Sequence, residues 1–392
     1  MTVRECYRRI ATFHSAEYIP NFEGGHSPRT LRLWQQEGMP AGQTLEGYFG
    51  LDSLSFSGPS YNPMPGVTGC YSSLDQYRPL LEPLGYELAI DEANCMVARK
   101  DGRESHIGHD PWGSIRLHLK HGDPDEDLAE GAFVHVQDAL TDVKEWEALR
   151  GQFQPDPARY PADWDVRMAE LRANDSVRIL VGPSMVGDLV MEMGFENYGY
   201  KTFDAPEMIT EILDARTSLA ETILEKAVAD LDFDMLWFWE DMAFRNGPFL
   251  SPAVYESLAL PFYQRLVRWY KSHGGEICAL DSDGDVRGLI PVWLKAGINH
   301  IWPLEPFAGM DVVALRAEYG HAFSMRGGID KFVVAQGKDA IDRELDRICP
   351  VVQDGGYIPH LDHMLPHASF ENYCYYMEEK RKLIGTRNNE IG

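Results

Sequence analysis

The chain has no apolar run near the roughly 18 consecutive residues that a membrane-spanning helix needs, so a helix of that kind is excluded. Paired cysteines are missing too. Cys6, Cys70, Cys95, Cys278, Cys349 and Cys374 are scattered without Cys-x-x-Cys spacing, and no signal peptide precedes them, which predicts a reduced, cytoplasmic setting. Basic side chains are few: lysine and arginine number 36 against 61 aspartates and glutamates, a net charge of -25. Such a field repels phosphate backbones and anionic membrane surfaces and excludes general nucleic-acid binding. Short-period repeats, low-complexity tracts and long linkers are also absent. What is present is an ordinary globular composition, 44% hydrophobic and 25% charged over 392 residues, enough for one large α/β core or two medium ones.

From residue 177 onward, short β-branched or aromatic runs alternate with longer helical patterns, and that alternation predicts a parallel sheet. "VRILVG" (177–182), "DMLWFWED" (234–241) and "EICALD" (276–281) read as strands. "APEMITEILDARTSLAETILEKAVADL" (205–231) and "SPAVYESLALPFYQRLVRWYKSHG" (251–274) read as helices, the second opening on Ser-Pro and closing at glycine. The rhythm continues through "HIWPL", "AFSMRGG" and "GGYIPHL", giving six strand–helix units. "YIPNFEG" (18–24) and "LDSLSFSG" (51–58) bring the strands to the eight that a closed (β/α)8 TIM barrel needs. Residues 60–170 break the pattern, and "YELAIDEANCMVARKDGRES" predicts an antiparallel hairpin turning at Lys100-Asp101-Gly102. The expectation is one α/β domain over 1–392, a (β/α)8 TIM barrel with an inserted hairpin and loop region at 60–170 covering one barrel face.

In such a barrel the chemistry gathers where strands end. "ALDSDGD" puts Asp281, Asp283 and Asp285 there, and Glu240-Asp241, Glu305, Arg326 with Asp330, and His360, Asp362 and His363 fall at neighbouring strand ends. A calcium loop is excluded, because counting from Asp281 the sixth position is Val286 rather than glycine and the twelfth is Val292 rather than glutamate. Asp285 reads as a helix cap. Asp281 and Asp283 stand one residue apart and repel unless a cation, a proton or an arginine lies between them.

The phrases "FWEDMAFRNGPFLSP", "ALDSDGDVRGLIPVWLKAGINHIWPLEPFAGMDVVALRAEYG", "MRGGIDKFVVAQGKDAIDREL" and "GGYIPHLDHMLPHASFENYCYY" resemble the uroporphyrinogen decarboxylase superfamily. That superfamily places tetrapyrrole decarboxylases and cobalamin-linked methyltransferases on one (β/α)8 barrel. The decarboxylases carry an arginine-rich N-terminal segment of the type M-R-Q-A-G-R-Y, where this chain has "NFEGGHSPRT" with Arg29 alone, so the resemblance is nearer to the methyltransferases. Their zinc ligands, a His-x-Cys, a later Cys and a carboxylate, fall on Asp281, Asp283, His363 and Glu240. Three carboxylates and an imidazole suit a hard divalent ion such as Zn, Mn or Fe(II), zinc first among them, that polarises a heteroatom.

The resemblance therefore implies a metal-dependent methyltransferase or demethylase taking a methyl group from a small O- or N-methylated compound. The acceptor is a corrinoid (cobalamin) on a separate protein, because no Asp-x-His-x-x-G ligand motif occurs in the chain, and a homodimer is implied. Asp281, Asp283 and Arg326 are the candidate catalytic residues, and His26, Trp239, Tyr357 and His360 the candidate substrate contacts. His367 is a rival ligand, and Asp362 is a carboxylate that would orient an imidazole. The Gly327-Gly328 amides read either as an anion site or as a glycine turn. The alternative function is a metal-free carboxy-lyase in which Asp281 or Asp283 protonates a carbanion.

Overall fold

The β-branched and aromatic runs become strands in the computed structural model, which describes residues 1–26, 28–62, 73–91, 95–109, 114–119, 133–366 and 368–385. Along the chain these are β1 (Leu54–Ser57), β2 (Glu87–Ile90), β3 (Met96–Lys100), β4 (Arg103–His109), β5 (Ile115–Leu119), β6 (Phe133–Gln137) and β7 (Val177–Val181). There follow β8 (Met235–Trp239), β9 (Ala243–Phe244), β10 (Gly247–Pro248), β11 (Ile277–Asp281), β12 (His300–Trp302), β13 (Ser324–Ile329) and β14 (Tyr357–Leu361). The chain divides into two compact units: Met1–Pro59, Tyr160–Val186 and Ala220–Gly392 form the first, and Ser60–Arg159 with Gly187–Leu219 the second. Among the described residues no helix is long and apolar enough to cross a membrane.

The first unit holds a seven-stranded sheet in the order β1-β7-β8-β11-β12-β13-β14, every pair parallel. Parallel neighbours need crossovers, and the helices Pro252–Leu258, Leu260–Ser272, Ile290–Ala296, Val312–Tyr319 and Lys338–Asp354 supply them between β8 and β14. The helix expected over 251–274 is two helices, with Ala259 between them and Pro261 in the first turn of the second, where its missing N–H is tolerated. Val177, Ile179, Met235, Ile277, Ala279, Trp302 and Ile358 pack in one buried cluster with Val3, Tyr7, Ile10 and Phe22. On any one strand these members are two residues apart, so each strand shows the same face to this core.

The eighth strand expected at 18–24 does not form. The segment carries no ladder, and Pro20 within it has no N–H to give one. Asn21 instead accepts the Asp52 N–H at 2.9 Å and donates its own N–H to the Asp52 carboxylate at 2.7 Å, while the Glu23 carboxylate accepts the Leu361 N–H at 3.2 Å. Side chains thus link the segment to the chain before β1 and to the end of β14. The buried Glu23 is held in turn by the Lys380 ammonium and by the Tyr376 hydroxyl at 2.6 Å. The result is a curled, TIM-like half-barrel of seven strands rather than a closed eight-stranded one.

The second unit is built on an antiparallel sheet in the order β2-β3-β4-β5-β6. Lys100 pairs with Arg103 across a two-residue turn in which Asp101 (φ 51) and Gly102 (φ 75) are both left-handed, the geometry that matches strand twist. Tyr77, Leu81, Ala98, Ile107, Ile115 and Leu117 form its core. Its span differs from the expected 60–170, because residues 160–170 belong to the first unit and Gly187–Leu219 to the second.

Candidate active site

The strand ends of the first unit surround a cavity of ≈ 500 Å³ lined by Gly24, Gly25, Trp239, Asp241, Asp281, Asp283, Trp302, Pro303, Arg326, His360, Leu361, Asp362, His363 and Met364. The two-residue period of a strand explains much of the membership. Asp281 continues the inward positions Ile277 and Ala279, and Trp239 and Asp241 continue Trp237, which packs against the core cluster. His360 and Asp362 continue Ile358 in the same way.

Glu240 falls on the opposite parity and does not line the cavity. It is fully buried, and its carboxylate accepts from the Ser184 hydroxyl at 2.8 Å, the Met185 N–H at 2.6 Å, the Val186 N–H at 2.8 Å and the Tyr263 hydroxyl at 2.6 Å. Both oxygens are taken up in holding the loop after β7. The carboxylate that faces the cavity from this strand end is its neighbour Asp241.

Three of the cavity carboxyls are displaced from ordinary acidity. Burial pushes Asp281 up to about 7, the charge of Asp283 adds to the rise, and a 2.6 Å hydrogen bond from the Trp302 indole N–H opposes it. Asp281 and Trp302 are register partners on adjacent strands, which brings the indole within reach. Asp241 is raised to about 6, first by burial and then by the Asp283 charge. Asp362 is raised to about 6 by burial against the pull of Lys331. Asp283 itself is partly exposed and lies 3.3 Å from Nε2 of His363, a contact that raises the imidazole pKa.

The turn that carries Asp283 admits only glycine next. Gly284 has φ +83, and a Cβ there would lie 2.6 Å from the Ala243 carbonyl oxygen of the β9–β10 hairpin. Its N–H donates to Glu305 at 2.8 Å. Asp285 does not cap a helix as expected: it accepts from the Arg287 backbone N–H and guanidinium, and the helix beyond it begins at Ile290 with Leu289 as its N-cap.

Arg326 and His360 form a pair on β13 and β14. The Arg326 Nε donates to His360 Nε2 at 2.9 Å, and His360 Nδ1 faces the Leu361 carbonyl oxygen at 2.5 Å. These two contacts place the imidazole proton on Nδ1. Burial, reinforced by the Arg326 charge, holds His360 well below the usual histidine range, so the ring is neutral. His360 lines the cavity, but both its nitrogens are engaged, Nε2 by the guanidinium and Nδ1 by the Leu361 carbonyl. Arg326 in turn lies over Trp302, with Cζ 4.4 Å from the ring centroid.

The remaining expectations divide. Trp239 lines the cavity. Tyr357 has the opposite parity to Ile358 and His360, is fully buried, and donates to the Gly327 carbonyl oxygen at 2.8 Å, so it is not among the lining residues. Gly327 and Gly328 lie inside β13 rather than in a turn. They have φ +92 and +73, a Cβ on Gly327 would meet the Pro303 carbonyl oxygen at 2.0 Å, and the Gly328 N–H already donates to that oxygen. His26 packs edge-on against Trp34 and Tyr373, burial lowers it to about 4, and it stands outside the lining. Cys278 is buried and its thiol is pushed up to about 12, consistent with an inert core residue. His367 lies outside the described residues.

The donor set drawn from the sequence, Glu240, Asp281, Asp283 and His363, does not fit a divalent ion as these side chains stand. Glu240 is turned away and fully hydrogen-bonded, Asp281 holds the Trp302 indole, and His363 faces Asp283. Among the described residues no three His, Cys, Asp or Glu side chains are gathered as a metal site requires.

No family model matches the chain, and no curated protein sequence matches it. Among solved structures it is similar to a methyltransferase from Methanosarcina mazei, at 12% sequence identity and a TM-score of 0.54, over 97% of this chain and 98% of that one. At that identity the likeness shows the fold, a mixed α/β architecture with a curled parallel sheet.

Proposed function

We propose that the protein is a methyltransferase whose cavity takes a small O-methylated compound and in which Asp281 acts as the general acid. The observation that carries this reading is Asp281 itself, a half-buried carboxyl at a strand end, held by the Trp302 indole N–H and raised to about 7. A carboxyl of that acidity is still largely protonated just below neutrality and gives up its proton readily, which matches the needs of acid catalysis. The methyl carbon bonds to an incoming nucleophile as its bond to oxygen breaks. The electron pair stays on that oxygen, and the Asp281 proton joins it, so an alcohol or phenol leaves. Following the sequence resemblance to the uroporphyrinogen decarboxylase superfamily, the nucleophile is a corrinoid presented by a separate protein. Trp239 and Trp302 give the cavity flat apolar walls, and His363 with Asp283 forms an ion pair at its rim. The similarity of fold to the Methanosarcina mazei methyltransferase supports the same class of reaction.

The test is turnover of a panel of methyl ethers with chemically reduced cob(I)alamin as acceptor, followed by appearance of the demethylated product. Wild type should turn over at least one ether after exhaustive chelation, and Asp281→Asn should not. Loss of turnover on chelation, restored by zinc, would return the metal-dependent reading. Arg326 beside Asp281 favours one other reaction, loss of carbon dioxide from a carboxylated substrate with Asp281 protonating the carbanion. Release of carbon dioxide without methyl transfer would select it.

A further inference from the structure

We propose that the substrate of this cavity carries a carboxylate and that Arg326 recognises it. The inference rests on the reading of Asp281 as the acid of the same cavity, and it adds the chemical class of molecule that the acid acts on.

Arg326 is only 8% exposed, yet it lines the cavity. Its Nε is committed to His360, and its Nη1 has no hydrogen-bond partner. Trp302 and Phe22 cover the guanidinium at 4.4 and 5.5 Å from their ring centroids. Among the described residues no carboxylate hydrogen-bonds it. Three other buried cations have a carboxylate or carbonyl acceptors where Arg326 has His360: Arg216 donates to Glu192 at 2.6 Å, Lys380 pairs with Glu23, and Arg159 donates to the backbone carbonyls of Gln152, Gln154, Ser60 and Asn62. A buried guanidinium with an unmet N–H is costly to maintain, and a planar anion meets that need with two parallel hydrogen bonds.

The surroundings give the guanidinium one orientation. The neutral His360 fixes its Nε, and the aromatic rings limit its swing. Trp302 is the bridge between recognition and chemistry, because its ring lies under Arg326 while its indole N–H holds Asp281. A carboxylate gripped by Arg326 therefore brings the rest of a small molecule to the acid one tryptophan away. The cavity carboxyls Asp241, Asp281, Asp283 and Asp362 make no hydrogen bond to Arg326: Asp281 holds the Trp302 indole, Asp283 faces His363, and one oxygen of Asp362 accepts the Lys331 backbone N–H.

The experiment measures binding by calorimetry, independently of turnover, with matched pairs of acid and primary amide: acetate and acetamide, methoxyacetate and methoxyacetamide, benzoate and benzamide, 4-methoxybenzoate and 4-methoxybenzamide. In wild type at least one acid should bind ~10-fold or more tightly than its amide, the preference expected of a charge-assisted pair. In Arg326→Gln that preference should vanish, while Arg326→Lys, which keeps the charge but not the fork, should retain part of it. The comparison within wild type needs no variant and stands even if Arg326→Gln does not fold. If every amide binds as well as its acid, or if the preference survives in a folded Arg326→Gln, the inference is overturned. Its failure is separable from that of the methyl-transfer reading. Neutral ethers turned over with dependence on Asp281 sink the carboxylate and spare the acid. Arg326-dependent binding of acids without any transfer does the reverse.

Discussion

Glu240 and Asp241 are neighbours in sequence, and the structure sends them to opposite sides of one strand end. Glu240 faces away from the cavity into a buried nest of four donors, whereas Asp241 faces the cavity and burial lifts it to about 6. Asp281 is of the second kind, raised to about 7 with the Trp302 indole on one oxygen. What separates the two kinds is what meets the oxygens: four donors hold Glu240 in the scaffold, whereas Asp281 has the Trp302 indole and the cavity.

The largest expected effect comes from breaking the outward-facing side of this comparison. Glu240→Ala strips two buried backbone N–H groups and two hydroxyls of their acceptor, and a loss of roughly 3 kcal/mol or more of folding stability should appear as a lower urea midpoint. A midpoint equal to that of wild type would mean that those donors find other partners.

On the inward-facing side, Asp281→Asn should lower kcat about 100-fold or more, with a urea midpoint near that of wild type at about pH 4 and at or above it near neutrality, because it removes a proton donor and not a scaffold. Turnover in wild type should fall as pH rises through about 7, where Asp281 loses its proton. Stability should follow the same group. Its folded pKa is raised above the unfolded value of 3.8, so its contribution is fully present below about pH 4 and is lost as pH rises through about 7. Melting temperatures measured across that window should fall less steeply for Asp281→Asn than for wild type.

The smallest effect belongs to the rim. His363 and Asp283 are both partly exposed, so a double-mutant cycle with His363→Gln and Asp283→Asn should return a coupling of under about 1 kcal/mol. The imidazole pKa is raised by this partner, so the coupling is present at low pH and lost as pH rises through the raised histidine value. A coupling well above that size would move the pair from the rim into the chemistry.

Much of the parallel sheet was legible in the sequence because strand runs and helical runs differ in period and length. "VRILVG", "DMLWFWED" and "EICALD" became β7, β8 and β11 within a few residues of their expected bounds. The eighth strand was not legible. "YIPNFEG" has strand-like composition, but its partners are the Asn21–Asp52 and Glu23–Leu361 contacts, long-range pairings that no local pattern records. At the site, Asp281, Asp283, Arg326, His363, Trp239 and His360 all line the cavity as their strand-end positions suggested. The family resemblance implies Glu240, whereas the alternation Trp237, Trp239, Asp241 in the same sequence points to Asp241 as the inward residue. Tyr357, expected as a substrate contact, stands one step out of phase with Ile358 and His360. The partnerless Nη1 of Arg326 had no sequence signal, since it depends on what His360, Trp302 and Phe22 leave open.

The bare Cα of Gly284 lets the β9–β10 hairpin rest its backbone on the loop that presents Asp283. Side chains at the hairpin point elsewhere: Phe244 is 54% exposed and Arg245 stacks on Phe307 at 3.8 Å. Residue types at 244 and 245 are thus free to vary without moving the acids, whereas lengthening or bending the hairpin would be transmitted straight to them. An engineer seeking a new substrate for this pocket should recolour that hairpin and leave its length alone.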